Sequence, residues 1–243
     1  MRASVNVDAV KVEAGGLTYD AGTFKDLFEN EFTYLNGFLR NVDRFPHKIA
    51  LTCPVQKKSW TYRELDSECN RLAHAFLADG IGKGDTVVYQ LLNSPKFIFC
   101  YLAPQKIGAI NCPINFRLSP GETAYIIDDS KPSVYIFDEE IRDTAEKALG
   151  MARHKPCRVV MAEIPGAERH GQPPAGSITY DEYVAGRPAS DPGIRRPTGI
   201  YDEITRLYTS GTTGMPKGVP LNNLNEIFSA HDVIMHFPLN QND

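Results

Sequence analysis

The chain has 243 residues, of which 42% are hydrophobic, 23% charged and 10% aromatic; this globular composition excludes collagen, coiled coil and wholesale disorder. Such a length can bury a sizeable core as one large domain or two small ones. With 26 Lys and Arg against 30 Asp and Glu, the net charge is -4, which favours neither nucleic acid nor an anionic membrane surface as the main partner.

Residues 1–16 carry scattered charges and no apolar h-region, so no secretory signal is expected. Residues 1–22 lack clear periodicity and read as a loosely held arm. Residues 23–243 read as the body of the protein. Thr23 to Asp26 opens a helical pattern in which Phe24, Leu27, Phe28, Leu35, Phe38 and Leu39 recur three and four apart. Ile49 to Thr52 and Ser59 to Thr61 are short strands. Thr61-Tyr-Arg-Glu64 is a capping box, and Leu65, Cys69, Leu72, Ala73, Phe76 and Leu77 form one apolar face ending near Gly80.

Thr86 to Leu92 is a strand. Ser94-Pro95 starts a helix that runs to about Gly108. It contains the longest aromatic-aliphatic run, Phe97 to Ala103, far short of the roughly 20 apolar residues of a membrane span. Ile110 to Pro113 is a strand, and Ser119-Pro-Gly-Glu122 starts another helix. A strand at Ser133 to Phe137, a helix at Glu139 to Leu149 and a strand at Arg158 to Met161 follow. Alternating strands and helices imply βαβ units and an α/β fold around a largely parallel sheet. Residues 163–198 carry six prolines and read as a surface excursion, with a brief helix near Tyr180 to Ala185. Ile204 to Tyr208 is the strand that resumes the pattern.

The five cysteines, Cys53, Cys69, Cys100, Cys112 and Cys157, are odd in number and contain no C-x-x-C pair. Reduced thiols in a cytoplasmic protein are expected, rather than a disulfide framework or a zinc site.

The chemistry concentrates in Tyr208-Thr-Ser-Gly-Thr-Thr-Gly-Met-Pro-Lys-Gly-Val219, where four hydroxyl residues, three glycines and one lysine fall within ten positions. Glycines let backbone N–H groups close on an anion, hydroxyls donate to phosphate oxygens, and lysine supplies a point charge. The parts suit a polyphosphate. The order is not that of a Walker P-loop, because Lys217 precedes Gly218 and Val219 rather than Ser or Thr. The glycines of Gly80 to Gly84 precede a strand instead of following one, the wrong order for a dinucleotide fingerprint.

Residues 208–219 resemble the AMP-binding signature of the acyl-adenylate-forming superfamily. Thr61 to Leu65, Gly80 to Val87, and Asn115 to Pro120 with Ala124 to Ser130 are similar to its acyl-CoA synthetase branch. The resemblance covers nearly the whole chain from Phe38. It implies the layered α/β N-terminal part of an adenylate-forming enzyme, incomplete and without its C-terminal domain, so that the fragment alone would be inactive.

The implied reaction joins a carboxylic acid to ATP as an acyl-adenylate and then to coenzyme A, with Mg2+. By the same resemblance, Thr209, Ser210, Gly211, Thr212, Thr213, Gly214 and Lys217 would bind the phosphates. Lys217 would be catalytic, and Pro216 and Gly218 would shape the loop. The expected partners are a small carboxylic acid and the missing C-terminal part of the same enzyme, with no nucleic acid and no integral membrane segment. The alternatives are an adenylating enzyme with a carrier-protein acceptor, and a non-catalytic ATP- or phosphate-binding module.

One departure stands after the loop. The family commonly has T-H-x-N there, and this chain has Asn222-Asn223-Leu224-Asn225. His231 shares the apolar face of the helix expected next with Leu224, Ile227, Phe228 and Met235, and is expected in the core. Asp128, Asp129, Asp138, Glu139, Glu140, Arg195 and Arg196 read as solvated surface.

Overall fold

The computed structural model describes residues 11–14, 17–164, 171–209 and 214–237. A hairpin of β1 (Lys11–Ala14) and β2 (Leu17–Asp20) comes first, in the stretch where the sequence shows no periodic element. Asp20 then accepts from the Gly22 N–H and starts α1 (Ala21–Glu31). The helical pattern of the sequence splits in two at Phe32. The Thr33 hydroxyl accepts from the Asn36 N–H and opens α2 (Tyr34–Arg44), since an N-cap holds its residue in extended backbone. α1 buries none of its residues, leaving Phe24 70% exposed, whereas Leu35 of α2 is buried.

β3 (Ile49–Cys53) and β4 (Lys58–Thr61) form a second hairpin. The capping box of Thr61 and Glu64 starts α3 (Tyr62–Ala78), and Gly80, at φ +78°, turns the chain out of it. Only glycine takes that left-handed turn without strain. Next come β5 (Thr86–Gln90), α4 (Pro95–Lys106), β6 (Ile110–Pro113), α5 (Pro120–Ser130), β7 (Val134–Asp138), α6 (Arg142–Met151) and β8 (Arg158–Ala162). The helix expected from Glu139 begins as a 3-10 turn over Glu139–Ile141, because the Asp138 carboxylate accepts from the Glu140 N–H there.

Seven strands form one sheet in the order β11 (Lys217–Asn222), β10 (Glu203–Thr209), β6, β5, β7, β8 and β9 (Ile178–Thr179), parallel except at the β10–β11 pair. Alternate residues of β5, β7 and β8 enter different cores. Tyr89, Ile136 and Val160 pack with α3 and α4, while Val88, Tyr135 and Met161 pack with α5 and α6. Burial of both faces explains why these strands read as continuous apolar runs.

The proline-rich excursion contributes to the fold. β9 (Ile178–Thr179) extends the sheet, and α7 (Tyr180–Val184) buries Tyr180 and Tyr183. Asn70 and Arg71 of α3 donate to the carbonyls of Ala189 and Arg187. All five cysteines are free. Among the described residues, no helix is long and apolar enough to cross a membrane.

Candidate active site

β10 (Glu203–Thr209) and β11 (Lys217–Asn222) are the arms of an antiparallel hairpin whose connection carries the glycine- and hydroxyl-rich segment. Thr209 faces Lys217 across the ladder, and Tyr208 faces Gly218. Ser210, Gly211, Thr212 and Thr213 lie outside the described residues. Of the remaining expected site residues, Thr209, Gly214 and Lys217 are exposed, and Pro216 is buried beside them. The space around Gly214 is open. No carboxylate among the described residues pairs with Lys217, whereas Lys83, Lys96 and Lys106 all have one. A cation and a hydroxyl thus stand side by side at the mouth of the hairpin.

Gly218 has a local reason. A β-carbon there would lie 3.2 Å from the Tyr208 ring, so a side chain at residue 218 would press on the ring, and glycine leaves it room. The Tyr208 phenol donates to Asp129 Oδ2 at 2.5 Å. Burial, and then this carboxylate, push that phenol well above its usual pKa.

Below the hairpin, Asn111 ties β6 to β10. Its amide donates to the Ile204 carbonyl and to Thr205 Oγ1 at 3.0 Å, and its carbonyl accepts from the Tyr89 hydroxyl at 3.2 Å. An Asn inside the buried strand Ile110–Pro113 is the sequence signal for this contact.

α8 (Asn223–His236) starts from a capping box of Asn222 and Asn225. Asn223, in the place where the family commonly has histidine, is fully buried. It accepts from the Tyr34 N–H at 2.9 Å and donates to Thr198 Oγ1 at 3.2 Å and to the Gly199 carbonyl at 2.9 Å. One side chain therefore binds the start of α2, the end of the excursion and the exit of the hairpin. Tyr101 of α4 lies near Glu226 of α8, and burial and then this carboxylate raise its phenol pKa.

Three expectations are corrected here. His231 is exposed rather than in the core, as are Phe228 at 63% and Met235 at 72%; the apolar face of α8 is present but uncovered. Asp128 is only partly exposed and accepts from the N–H groups of Arg153 and His154, while Asp129 lies on the surface as expected and accepts from Tyr208. Asp138 is 4% exposed and accepts from the Leu92 and Glu140 N–H groups; burial raises its carboxyl pKa. Arg195 and Arg196 do lie on the surface, with Arg196 paired to Asp26 and Glu31.

A parallel-rich sheet with helices on both faces, extended by an antiparallel hairpin with a glycine-rich turn, defines the N-terminal domain of an adenylate-forming enzyme. Solved structures agree. An anthranilate CoA ligase, AuaEII, in complex with anthranoyl-AMP matches with a TM-score of 0.73 and 25% identity, over 82% of this chain and 36% of that one. The inhibitor-bound N-terminal domain of FACL13 from Mycobacterium tuberculosis matches with a TM-score of 0.65 and 28% identity, over 79% of this chain and 44% of that one.

Residues 38–243 match the AMP-binding enzyme family, and the chain belongs to it. Its relatives are acid–CoA ligases. A 3-hydroxybenzoate–CoA ligase of Aromatoleum sp. (strain CIB) is 33% identical over 162 residues, 67% of this chain and 29% of that enzyme. A crotonobetaine/carnitine–CoA ligase of Escherichia coli is 33% identical over 196 residues, 78% of this chain and 36% of that enzyme. The chain spans about a third of the length of these relatives.

Proposed function

We propose that this chain is the ATP-phosphate-binding part of an AMP-forming acid–CoA ligase. The observation that carries the reading is Lys217: exposed, without an ion-pair partner among the described residues, and set beside Thr209 at the mouth of the matched loop. Ser210, Gly211, Thr212, Thr213 and Gly214 complete the proposed phosphate cradle.

In this reaction a substrate carboxylate oxygen attacks the α-phosphorus of ATP. The bond to the bridging oxygen breaks, and pyrophosphate leaves with the electron pair. Negative charge grows on the β-phosphate during that step, and a fixed cation with aligned donors stabilises growing charge more than ground-state charge. Lys217 and Thr209 serve that role. In the second step a thiol attacks the acyl carbon of the adenylate and AMP departs. The acceptor is coenzyme A, in line with the names of the relatives. Those names range over hydroxybenzoate, carnitine and fatty-acid substrates, so the substrate is assigned only as a carboxylic acid.

Magnesium would share the neutralisation of the phosphates. No group of three His, Cys, Asp or Glu side chains among the described residues is placed to hold a metal ion, so no protein ligand is assigned to it.

The test is calorimetric titration of the chain with ATP and with inorganic pyrophosphate, against Lys217→Ala. Saturable binding that the substitution weakens by about tenfold to a hundredfold is expected for a lost charge-assisted contact. Absence of binding by the unaltered chain, or equal binding by Lys217→Ala, refutes the reading. The chain alone is expected to form no AMP from ATP, and AMP formation with any carboxylic acid would overturn that part.

A further inference from the structure

We propose that the Tyr208–Asp129 hydrogen bond is the tether that sets where Thr209 and Lys217 stand, which makes Tyr208 and Asp129 positioning residues for phosphate binding. This inference deepens the reading above and rests on it.

Among the described residues, β10 pairs with its parallel neighbour β6 only at Thr205 and Asn111. β10 nevertheless runs on to Thr209. Over those last four residues its ladder partner is β11 alone. β11 is the edge of the sheet, and Lys217 to Pro220 are exposed. The end of the hairpin that carries Thr209 and Lys217 therefore runs on past its ladder pair with the parallel strands.

Side chains supply the fixing there that ladder pairing to β6 does not. Arg206 turns back to Glu203 of its own strand, at 2.7 Å, and so ties β10 to no other layer. Leu207 is 38% exposed. Tyr208 is different. Its ring packs against the core that holds Val88 and Tyr135, and its hydroxyl reaches Asp129 at 2.5 Å, in the last turn of α5 and 79 positions earlier in the chain. A hydrogen bond to a carboxylate is among the stronger kinds. The raised phenol pKa keeps the proton on Tyr208, so it donates throughout the neutral range.

The consequence is geometric. Thr209 follows Tyr208 in the strand, Gly218 lies under its ring, and Lys217 pairs with Thr209. Release of the Tyr208 hydroxyl frees the ring to shift, and both phosphate-facing residues shift with it.

Tyr208→Phe keeps the aromatic ring and removes the hydroxyl that tethers it to Asp129. Asp129→Asn keeps an oxygen acceptor and removes its charge. ATP and pyrophosphate affinities are measured by calorimetry for the unaltered chain, each variant and the double variant, with unfolding midpoints recorded beside them. Tyr208→Phe should weaken ATP binding by about threefold to tenfold, with Asp129→Asn weaker than the unaltered chain by a smaller factor. The double variant should bind no worse than Tyr208→Phe, because the two residues make one contact. A merely structural contact would lower the unfolding midpoint and leave both affinities unchanged, which overturns the inference. Losses that simply add in the double variant overturn it too. If Lys217→Ala weakens ATP binding while Tyr208→Phe does not, this inference fails and the phosphate-site reading stands. If the unaltered chain binds neither probe, both fail.

Discussion

Asn223→Ala removes three hydrogen bonds from a fully buried position: one from the Tyr34 N–H and two to Thr198 and Gly199. The Thr198 hydroxyl can rotate toward another acceptor, but the Tyr34 N–H and the Gly199 carbonyl are fixed backbone groups. Each buried polar group left unpaired costs about 1–3 kcal/mol. Two of them, with a small cavity added, give an expected loss of about 3–4 kcal/mol. Asn223→Leu, with the same branching and number of side-chain heavy atoms but larger methyl ends, leaves no cavity and restores none of the bonds, so it should lose at least as much. The assay is urea unfolding followed by the fluorescence of the single tryptophan, Trp60, which is 4% exposed. A shift in midpoint at constant slope reads as a stability change. Losses below about 1 kcal/mol in both variants would refute the three-way tie. Alanine much worse than leucine would mean that Asn223 acts by filling space.

Gly108 sits at φ +74°, and a β-carbon there would lie 2.7 Å from the Pro197 carbonyl oxygen; Gly108→Ala combines left-handed strain with a backbone clash and should cost about 3 kcal/mol in the same urea assay. An unchanged midpoint would show that residues 197 and 108 separate freely. Hydrogen bonds from Arg158 and Tyr183 hold the Asp79 carboxyl below its usual pKa. A depressed native pKa stabilises the fold fully above the unfolded carboxylate value, and that contribution is lost as pH falls through the native one. Asp79→Asn should therefore be less stable near neutrality and should lose less stability on acidification. Parallel midpoint-against-pH curves for the two proteins would disprove this.

Much of the architecture was legible because local chemistry and tertiary structure agree. The capping boxes of Thr61–Glu64 and Ser119–Glu122 mark helices that form where expected. β5, β7 and β8 form where strands are expected, and their alternation with helices already implies the parallel sheet that they make. α1 and α2 were read as one pattern, because the spacing from Phe24 to Leu39 continues across a break that only the Thr33 cap reveals. Periodicity locates an apolar face but does not say what covers it, which is why His231 was placed inside and lies outside. The loop was legible as a contiguous motif. Its supports were less so: an Asn inside an apolar strand announces that Asn111 needs a partner but not which one, and Asn111 to Thr205, Asn223 to Tyr34 and Asp129 to Tyr208 are pairings 94, 189 and 79 positions apart that no local pattern encodes.

β11 has one further property. An edge strand offers its open row of backbone donors and acceptors to any passing strand, and neighbouring molecules can add to it without limit. Pro220 stands opposite Arg206 in this strand. A proline fits a ladder only where its nitrogen faces the open side, so Pro220 deletes a donor from the outward row. Lys217, exposed on the same strand, adds a charge that a second copy would have to approach. The segment proposed to present Lys217 to phosphate thus also discourages the chain from polymerising through its own rim.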